Sequence, residues 1–357
     1  QRYPTLSPFI PHEMEQEILY FVYGLCIMFY AMMAFFFMHK GKDMLSRLVT
    51  ALMIIILLSC IKDLVFLFGP FKDTLRNEHI ITAVDMLAEP FYALILIELC
   101  NPGRVTRRLI ILQELPFVLL STAVAIWPAQ ILFDAEVVWS ALYGLYYAVW
   151  TIRAIPRYHR QMRQRFSYME NINLNWLRTI LYSFFVILAV WIMCSLVISF
   201  TLDVVYMVSS MCLWIFISYF LYRHESVVNE LEDSADNEET EEAPDTADAS
   251  LGKRIEHLFR DERIYLNSKL KLSDVAAAAG TNRTYVSTYL NRDCSTTFYE
   301  YVNGYRAEYA AGLLADGNMT LEAVAGEAGF NSLSTFYRVF SKIYSCTPSE
   351  YRERMNR

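Results

Sequence analysis

Residues 320–352 read TLEAVAGEAGFNSLSTFYRVFSKIYSCTPSEYR, and this stretch decides how the end of the chain folds. Thr320 stands before a short apolar segment, where a threonine side chain caps the start of a helix. Gly329 follows that segment, where a tight turn favours a left-handed residue. Within Ser334–Tyr344, two phenylalanines four residues apart share one face of a second helix. Two short helices joined by a glycine turn predict a helix-turn-helix unit.

The same pattern occurs once earlier in the chain. A short apolar helix is predicted to begin with Ser273 as its N-cap and to end at Gly280, which supplies the turn. A second helix is predicted over Arg283–Leu290, with Val286 facing inward. A longer amphipathic helix, Phe298–Ala315, lies between the two copies. The soluble end of the chain is therefore expected to contain two helix-turn-helix units joined by one helix.

Residues 253–354, approximately, resemble the AraC/XylS family of transcription regulators. The resemblance rests on these residues: Ala328, Gly329, Phe330, Asn331, Ser332, Phe336, Arg338, Phe340, Lys342, Thr347, Pro348, Tyr351 and Arg352, together with Tyr301, Tyr305 and Arg306 in the connecting helix. One departure is Ser345, at a position where the family commonly has glycine. Serine is less stable than glycine in a left-handed helix cap, so this helix end is expected to be looser.

The resemblance implies a monomeric pair of units, each inserting its second helix into the major groove of double-stranded promoter DNA. Helical periodicity gives the outward positions: Arg283, Thr284, Ser287 and Thr288 on the first helix, and Ser332, Ser334, Tyr337, Arg338 and Lys342 on the second. Hydroxyl groups there favour phosphate or water-mediated contacts, and arginines serve base edges or phosphates. Any one of these positions could instead be a solvated helix face, and Arg338 could form a structural salt bridge. RNA polymerase is a further expected partner, and a homodimer is left open.

The first 228 residues differ in composition from the rest. Hydrophobic residues make up 55% of the whole chain and charged residues 19%, against about 45–50% and about 25% in soluble domains. A membrane-spanning helix needs about 20 mostly apolar residues. Seven such stretches are predicted, at residues 18–38, 48–68, 80–99, 109–127, 131–151, 177–200 and 204–222. The fifth is the weakest, because Asp134 and Glu136 interrupt its start.

Basic residues alternate between the connections, which fixes an orientation. They concentrate after the first, third and fifth predicted spans: Lys40, Lys42, Arg47; Arg104, Arg107, Arg108; Arg153, Arg157, Arg160, Arg163 and Arg165. This pattern predicts an outside N-terminus and a cytoplasmic location for residues 223–357, in the inner (cytoplasmic) membrane of a bacterium. The last arginine group is interpreted as an orientation signal on anionic lipid headgroups rather than as a nucleic-acid patch.

Charged residues inside the predicted spans are costly in lipid and mark packing or function. At about 1.5 Å of rise per residue, Lys62 lies about 10 Å below the outer boundary and Asp85 about 9 Å below it. Lys62 could therefore pair with Asp85 or, one turn deeper, with Glu89. These three residues form either an ion pair that fixes helix packing or part of an intramembrane ligand or ion site.

Residues 229–250 contain ten acidic residues and no basic residue. A polar segment with so few large apolar residues is expected to be disordered. It would span on the order of 25 Å if flexible. The segment is either a solubilising spacer or a charged tether that anionic lipid and DNA phosphate repel.

The sequence thus predicts an all-α chain: a multi-span transmembrane helical bundle at 1–228, an acidic linker at 229–250 and a soluble double helix-turn-helix domain at 251–357. It contains no motif of catalytic or metal-binding spacing, so neither an enzyme nor a cofactor is expected. The predicted function is a membrane-anchored one-component transcription regulator whose bundle senses an unidentified signal. The alternative is a membrane transporter or receptor whose soluble domain serves as a protein-interaction module.

Overall fold

The computed structural model describes residues 12–41, 43–68, 75–127, 129–170, 172–182, 200–223, 249–317 and 319–355. The chain divides into two compact units. The N-terminal unit comprises residues 1–155 and 174–228, and the C-terminal unit comprises residues 156–173 and 229–357. The internal segment 156–173 thus belongs with the end of the chain, which the sequence did not predict.

Long apolar helices build the N-terminal unit. Their bounds are α1 His12–Lys40, α2 Met44–Phe68, α3 Leu75–Asp85, α4 Glu89–Cys100, α5 Arg107–Ile126, α6 Gln130–Arg165 and α7 Phe200–Arg223. A short 3₁₀ turn, Met86–Ala88, separates α3 from α4. Pro90 lies in the first turn of α4, where its missing N–H removes no helical hydrogen bond. The third predicted span, 80–99, is therefore divided at Met86–Ala88, just before Pro90.

Five helical stretches of the described residues are long and apolar enough to cross a membrane: Glu17–Lys40, Met44–Phe66, His79–Cys100, Arg107–Ile126 and Val204–Arg223. They overlap the first four predicted spans and the seventh. The fifth predicted span, 131–151, lies in α6 and is helical, but it is not among the five. The sixth, 177–200, falls mostly at 183–199, outside the described residues. The seven-span bundle stays a prediction.

The C-terminal unit contains the two helix-turn-helix units. Its helices after the linker are α8 Ala249–Arg260, α9 Leu272–Ala278, α10 Arg283–Thr288, α11 Phe298–Ala315, α12 Leu321–Glu327, α13 Leu333–Tyr344 and α14 Pro348–Met355. Both predicted turn glycines are left-handed, with φ +64° at Gly280 and +77° at Gly329. The connecting helix α11 has the bounds predicted from the sequence. The linker 229–250 lies almost entirely outside the described residues.

Apolar side chains from four helices hold the first helix-turn-helix unit together. Val275 of α9 and Val286 of α10 are buried in one cluster with Phe259 of α8 and Val302 of α11. The predicted inward positions are therefore confirmed. The predicted cap is not, because α9 begins at Leu272 with Lys271 as its N-cap residue. The Asp274 carboxylate accepts the backbone N–H of Lys271 at 2.8 Å, so the acid of the first turn performs the capping that the sequence assigned to Ser273.

Candidate nucleic-acid interface

The second helix of each helix-turn-helix unit, α10 and α13, is called here the first and the second reading helix. The first, α10, is short and is capped at its N-terminus. The side-chain oxygen of Asn282 accepts the backbone N–H of Tyr285 at 3.1 Å. Leu290 is buried at the far end, in a single π-helical turn, Tyr289–Asp293, that continues α10. The four predicted outward residues of this helix are all partly covered rather than fully exposed: Arg283, Thr284, Ser287 and Thr288.

The second reading helix, α13, begins one residue earlier than predicted. Ser332 is its N-cap, and its Oγ accepts the backbone N–H of Thr335 at 3.2 Å. Phe336 and Phe340 are fully buried, which confirms their inward position. Among the predicted outward residues, three are exposed on this helix: Ser334, Arg338 and Lys342.

Two of the predicted DNA-binding cations already have protein partners. Lys342 Nζ lies 3.0 Å from a carboxylate oxygen of Glu300, and this hydrogen bond lowers the pKa of Glu300 below its ordinary value. Arg338 donates to the Tyr299 hydroxyl at 3.3 Å. The Tyr337 hydroxyl lies 3.3 Å from Ser349 Oγ. All three side chains are at least partly exposed, so each could reach a nucleic acid by a rotamer change.

Among the residues that the structure describes, Arg306 is the largest fully buried side chain, and the sequence assigned it no role beyond the resemblance. Its Nε donates to the carbonyl oxygen of Tyr265 at 2.7 Å, and Nη2 donates to that of Asn267 at 2.6 Å. Nη1 donates to the carbonyl oxygen of Ser167 at 3.2 Å. Burial lowers the pKa of Arg306 to about 10, so the guanidinium is still charged at neutral pH. It ties the connecting helix to two loops.

Residues 156–173, hereafter the docked segment, pack against the helix-turn-helix units. Phe166 forms an isolated antiparallel bridge with Lys271, and the Ser167 backbone N–H donates to the Leu270 carbonyl at 3.1 Å. Asn303 of α11 donates to the Ser167 carbonyl at 2.9 Å. The arginines of this segment were predicted from the sequence to lie on lipid headgroups. Within the C-terminal unit, the Arg163 guanidinium lies 5.6 Å from the ring centroid of Tyr299.

Glu170 of the docked segment reaches the start of the second reading helix. Its Oε1 accepts the Ser332 hydroxyl at 2.9 Å and also the hydroxyl of Thr335. Burial raises the pKa of this carboxyl, but the hydrogen bonds from Thr335, Ser332 and the backbone outweigh burial and hold the pKa below its ordinary value. Glu170 is therefore an anion at neutral pH, held at the N-terminus of α13.

The predicted intramembrane residues separate into two groups within the N-terminal unit. Lys62 Nζ lies 2.6 Å from Asp85 and 2.9 Å from the Ile81 carbonyl oxygen, as the first alternative predicted. Glu89 does not join this pair but accepts the Ser140 hydroxyl. Glu136, which the sequence treated only as an interruption, is buried and accepts the Ser121 hydroxyl at 2.6 Å. Among the described residues, no group of three or more His, Cys, Asp or Glu side chains is placed to hold a metal ion.

Comparison with known proteins gives one family match and several similar proteins. Residues 275–354 match the family described as "Helix-turn-helix domain". The chain is similar to Regulatory protein PocR of Salmonella typhimurium, at 25% identity over 130 residues, which is 36% of this chain and 42% of that protein. It is similar to Transcriptional activator RhrA of Rhizobium meliloti, at 34% identity over 113 residues, which is 31% of this chain and 34% of that protein. The chain spans less than half the length of these relatives.

Two further similarities also cover part of the chain. The Xylose operon regulatory protein of Escherichia coli is 29% identical over 84 residues, which is 24% of this chain and 21% of that protein. The crystal structure of the C-terminal domain of the two-component response regulator yesN from Fusobacterium nucleatum matches at 25% identity with a TM-score of 0.27, over 29% of this chain and 99% of that domain. The sequence matches and the two glycine-turned helix pairs agree: residues 275–354 form a helix-turn-helix domain of the AraC family of transcription regulators.

Proposed function

We propose that the chain is a membrane-anchored one-component transcription regulator that binds promoter DNA through α10 and α13. The observation that carries the proposal is the combination, in one chain, of an AraC-type helix-turn-helix domain with five helical stretches apolar enough to span a bilayer. A regulator of this kind detects its signal and binds its promoter without a separate messenger protein.

The surface of the N-terminal unit supports a lipid partner. Large apolar side chains are exposed along its helices, among them Phe21, Met28, Phe35, Leu58, Ile111 and Leu112, each more than half exposed. Soluble proteins rarely expose contiguous apolar patches of this extent, whereas a lipid-facing helix requires them. We further propose the inner (cytoplasmic) membrane of a bacterium, with an outside N-terminus, because the basic connections alternate as the positive-inside rule expects.

The signal would be detected by the N-terminal unit, and the bound domain would act on RNA polymerase at the promoter. The part-buried polar contacts of Lys62 with Asp85 and of Glu89 with Ser140 are the candidate place where a signal alters helix packing. Ionisable groups within apolar helices are retained where packing or binding depends on them. Chemical cross-linking of the tagged protein in cells, before lysis, distinguishes a monomeric regulator from a homodimer.

Genome-wide DNA capture with the tagged full chain tests the proposal. We expect discrete sites from the wild type, a loss of most of them in a double variant Arg283→Ala/Arg338→Ala, and recovery of the protein in the membrane fraction after alkaline washing. A membrane protein that captures no discrete DNA would contradict regulation and favour the transporter or receptor alternative. A chain that captures DNA but stays in the soluble fraction would contradict the membrane anchor alone.

A further inference from the structure

The docked segment covers the start of the second reading helix. Ser332 caps α13, and its hydroxyl donates to Glu170 at 2.9 Å. Thr335, one turn into the helix, donates to the same carboxylate oxygen, and Asn331 Nδ2 lies 3.5 Å from the other oxygen. Three polar side chains at one helix end, those of Asn331, Ser332 and Thr335, are therefore directed at a single carboxylate that comes from a distant part of the sequence.

The segment also lies beside the first reading helix, α10, across a small cleft. Gln164 lines a small cleft together with Ser287 and Asn291, which lie on the outward side of α10 and its π-helical continuation. Leu290 and Phe298 complete the cleft. Ser287 is one of the predicted DNA-binding residues, and it is only partly exposed. One continuous segment thus contacts Ser332 at the start of α13 and borders a cleft shared with Ser287 of α10.

A phosphate and the Glu170 carboxylate require the same partners. The N-terminus of a helix favours an anion, because its unpaired N–H groups and dipole are directed outward. Helix N-termini and hydroxyl side chains are common phosphate contacts in protein–DNA complexes. While Glu170 holds the hydroxyls of Ser332 and Thr335, a phosphate cannot form those hydrogen bonds, and the two anions repel each other at this distance.

We propose that the docked segment is an intramolecular lock on the DNA-binding domain, in which Glu170 occupies the place of a DNA phosphate and must withdraw before α13 enters the major groove. This inference rests on the proposed DNA binding. It assigns to residues 156–173 a regulatory contact in addition to any lipid contact of their arginines.

The docked segment is joined to the N-terminal unit by one continuous helix, α6. The helix α6 begins at Gln130 in the N-terminal unit, and its residues from Pro156 to Arg165 are the first part of the docked segment. In the proposed lock, a change in the position of α6 acts on the docked segment through the α6 backbone, which contains Pro156, and the acidic residues 229–250 form the other connection. Signal transmission then needs no rigid linker before the domain.

A disulfide across the Phe166–Lys271 bridge tests the lock in the full chain. Directly opposite residues of an antiparallel bridge have Cα atoms about 4.5–5.5 Å apart, which suits a disulfide. The double variant Phe166→Cys/Lys271→Cys is purified in detergent, oxidised and divided, and one half is reduced. Both halves are titrated against a 40-base-pair duplex selected from a random pool with the reduced wild-type chain. The two single-cysteine variants, treated identically, are the controls.

We expect the oxidised double variant to bind the duplex at least about tenfold more weakly than its reduced half, which corresponds to about 1.4 kcal/mol. The reduced half is the folding control, because the two samples differ only in the disulfide. Equal or tighter binding by the oxidised protein would overturn the lock and leave DNA binding standing. A wild-type chain that selects no duplex under any condition would instead overturn the proposed function, and the lock with it.

A charge-neutral variant gives a second, independent readout. Glu170→Gln should tighten binding of the same duplex by about fivefold to tenfold, since the anion that competes with phosphate is gone. The matched control is Glu350→Gln, because Glu350 also caps a helix N-terminus, accepting the backbone N–H of Thr347 at 2.8 Å, but on α14. If Glu350→Gln tightens binding as much as Glu170→Gln does, the effect is general electrostatics and the lock is wrong.

Discussion

A Cβ atom placed on Gly329 would lie 2.7 Å from the carbonyl oxygen of Leu266. The turn of the second helix-turn-helix unit therefore packs directly on the backbone of the loop that precedes the first unit. Gly280 makes the equivalent turn in the first unit, yet nothing lies within 4 Å of its Cβ position. Both glycines are left-handed. Gly280 is therefore required only for its backbone conformation, whereas Gly329 is required both for its conformation and for the close approach of the Leu266 backbone.

Gly280→Ala should lower the free energy of unfolding of the C-terminal unit by about 1–2 kcal/mol, which is the cost of a left-handed alanine. Gly329→Ala should cost about 2–5 kcal/mol, because overpacking against the Leu266 carbonyl is added to the same strain. Hydrogen exchange of core amides in α13 measures both values in the full chain. Equal costs for the two variants would show that the Leu266 loop moves aside freely.

A second prediction concerns Ser345, which ends α13 in the left-handed region with φ 56° and ψ 22°. Ser345→Gly should raise the free energy of unfolding by about 0.5–1 kcal/mol, because glycine adopts this conformation without a Cβ penalty. The control is Ser341→Gly within the same helix, which should lower it by about 0.5 kcal/mol. Thermal unfolding that shifts in the same direction for both variants would contradict this account of the cap.

The features that the sequence predicted are local. Helix periodicity places Phe336, Phe340 and Val286 inward, and the left-handed turns need glycine, so these followed from neighbouring residues alone. The Ser273 cap was wrong because α9 begins at Leu272, and the Asp274 carboxylate caps it by accepting the backbone N–H of Lys271. A serine at the start of an apolar run is compatible with an N-cap position and with a position inside the first turn.

The features that the sequence did not predict join distant parts of the chain. The contact of Glu170 with Ser332 spans 162 positions, and no periodic pattern marks either end of it. The resemblance included Arg306, but its acceptors are main-chain carbonyl groups, which every residue possesses. Glu89 was grouped with Lys62 by depth alone, and depth carries no information about which helix faces which. Such contacts depend on tertiary packing.

Arg306→Lys should lower the free energy of unfolding of the C-terminal unit by about 3–5 kcal/mol, the range for breaking a buried, hydrogen-bonded charge. A single ammonium group cannot reach the Tyr265, Asn267 and Ser167 carbonyl oxygens at once. The comparison is Ser167→Ala, which removes one hydroxyl acceptor of Arg306 and should cost about 1 kcal/mol. Hydrogen exchange in α11 distinguishes the two, and similar small losses would show that Arg306 is dispensable.

The pH dependence of the Glu170 contact follows from its lowered pKa. A carboxyl whose folded pKa lies below its ordinary value of about 4.3 contributes stability that is present above that value and lost as the pH falls through the folded pKa. The affinity ratio of Glu170→Gln to wild type for the selected duplex should therefore stay constant between pH 5.5 and 8. A ratio that falls towards one within that range would contradict the assignment of Glu170 as an anion.

The last prediction concerns how Lys342 contributes to DNA binding. Its partner Glu300 is 41% exposed and Lys342 itself 72% exposed, and such surface ion pairs contribute about 0–1 kcal/mol. We therefore expect a DNA phosphate to compete successfully with Glu300 for Lys342. Lys342→Ala should reduce the slope of log K against log salt concentration by about 0.9, the value for one phosphate contact.

Glu300→Gln is the informative companion to Lys342→Ala. It removes the partner but keeps the cation, so the salt slope should stay at the wild-type value, while affinity rises slightly because Lys342 no longer has to leave a carboxylate. If Lys342 served only the ion pair with Glu300, both variants would leave the slope unchanged and would lower stability by the same small amount. The slope of the duplex titrations therefore separates a phosphate contact from a structural pair at this one residue, since only counterion release depends on salt in this way.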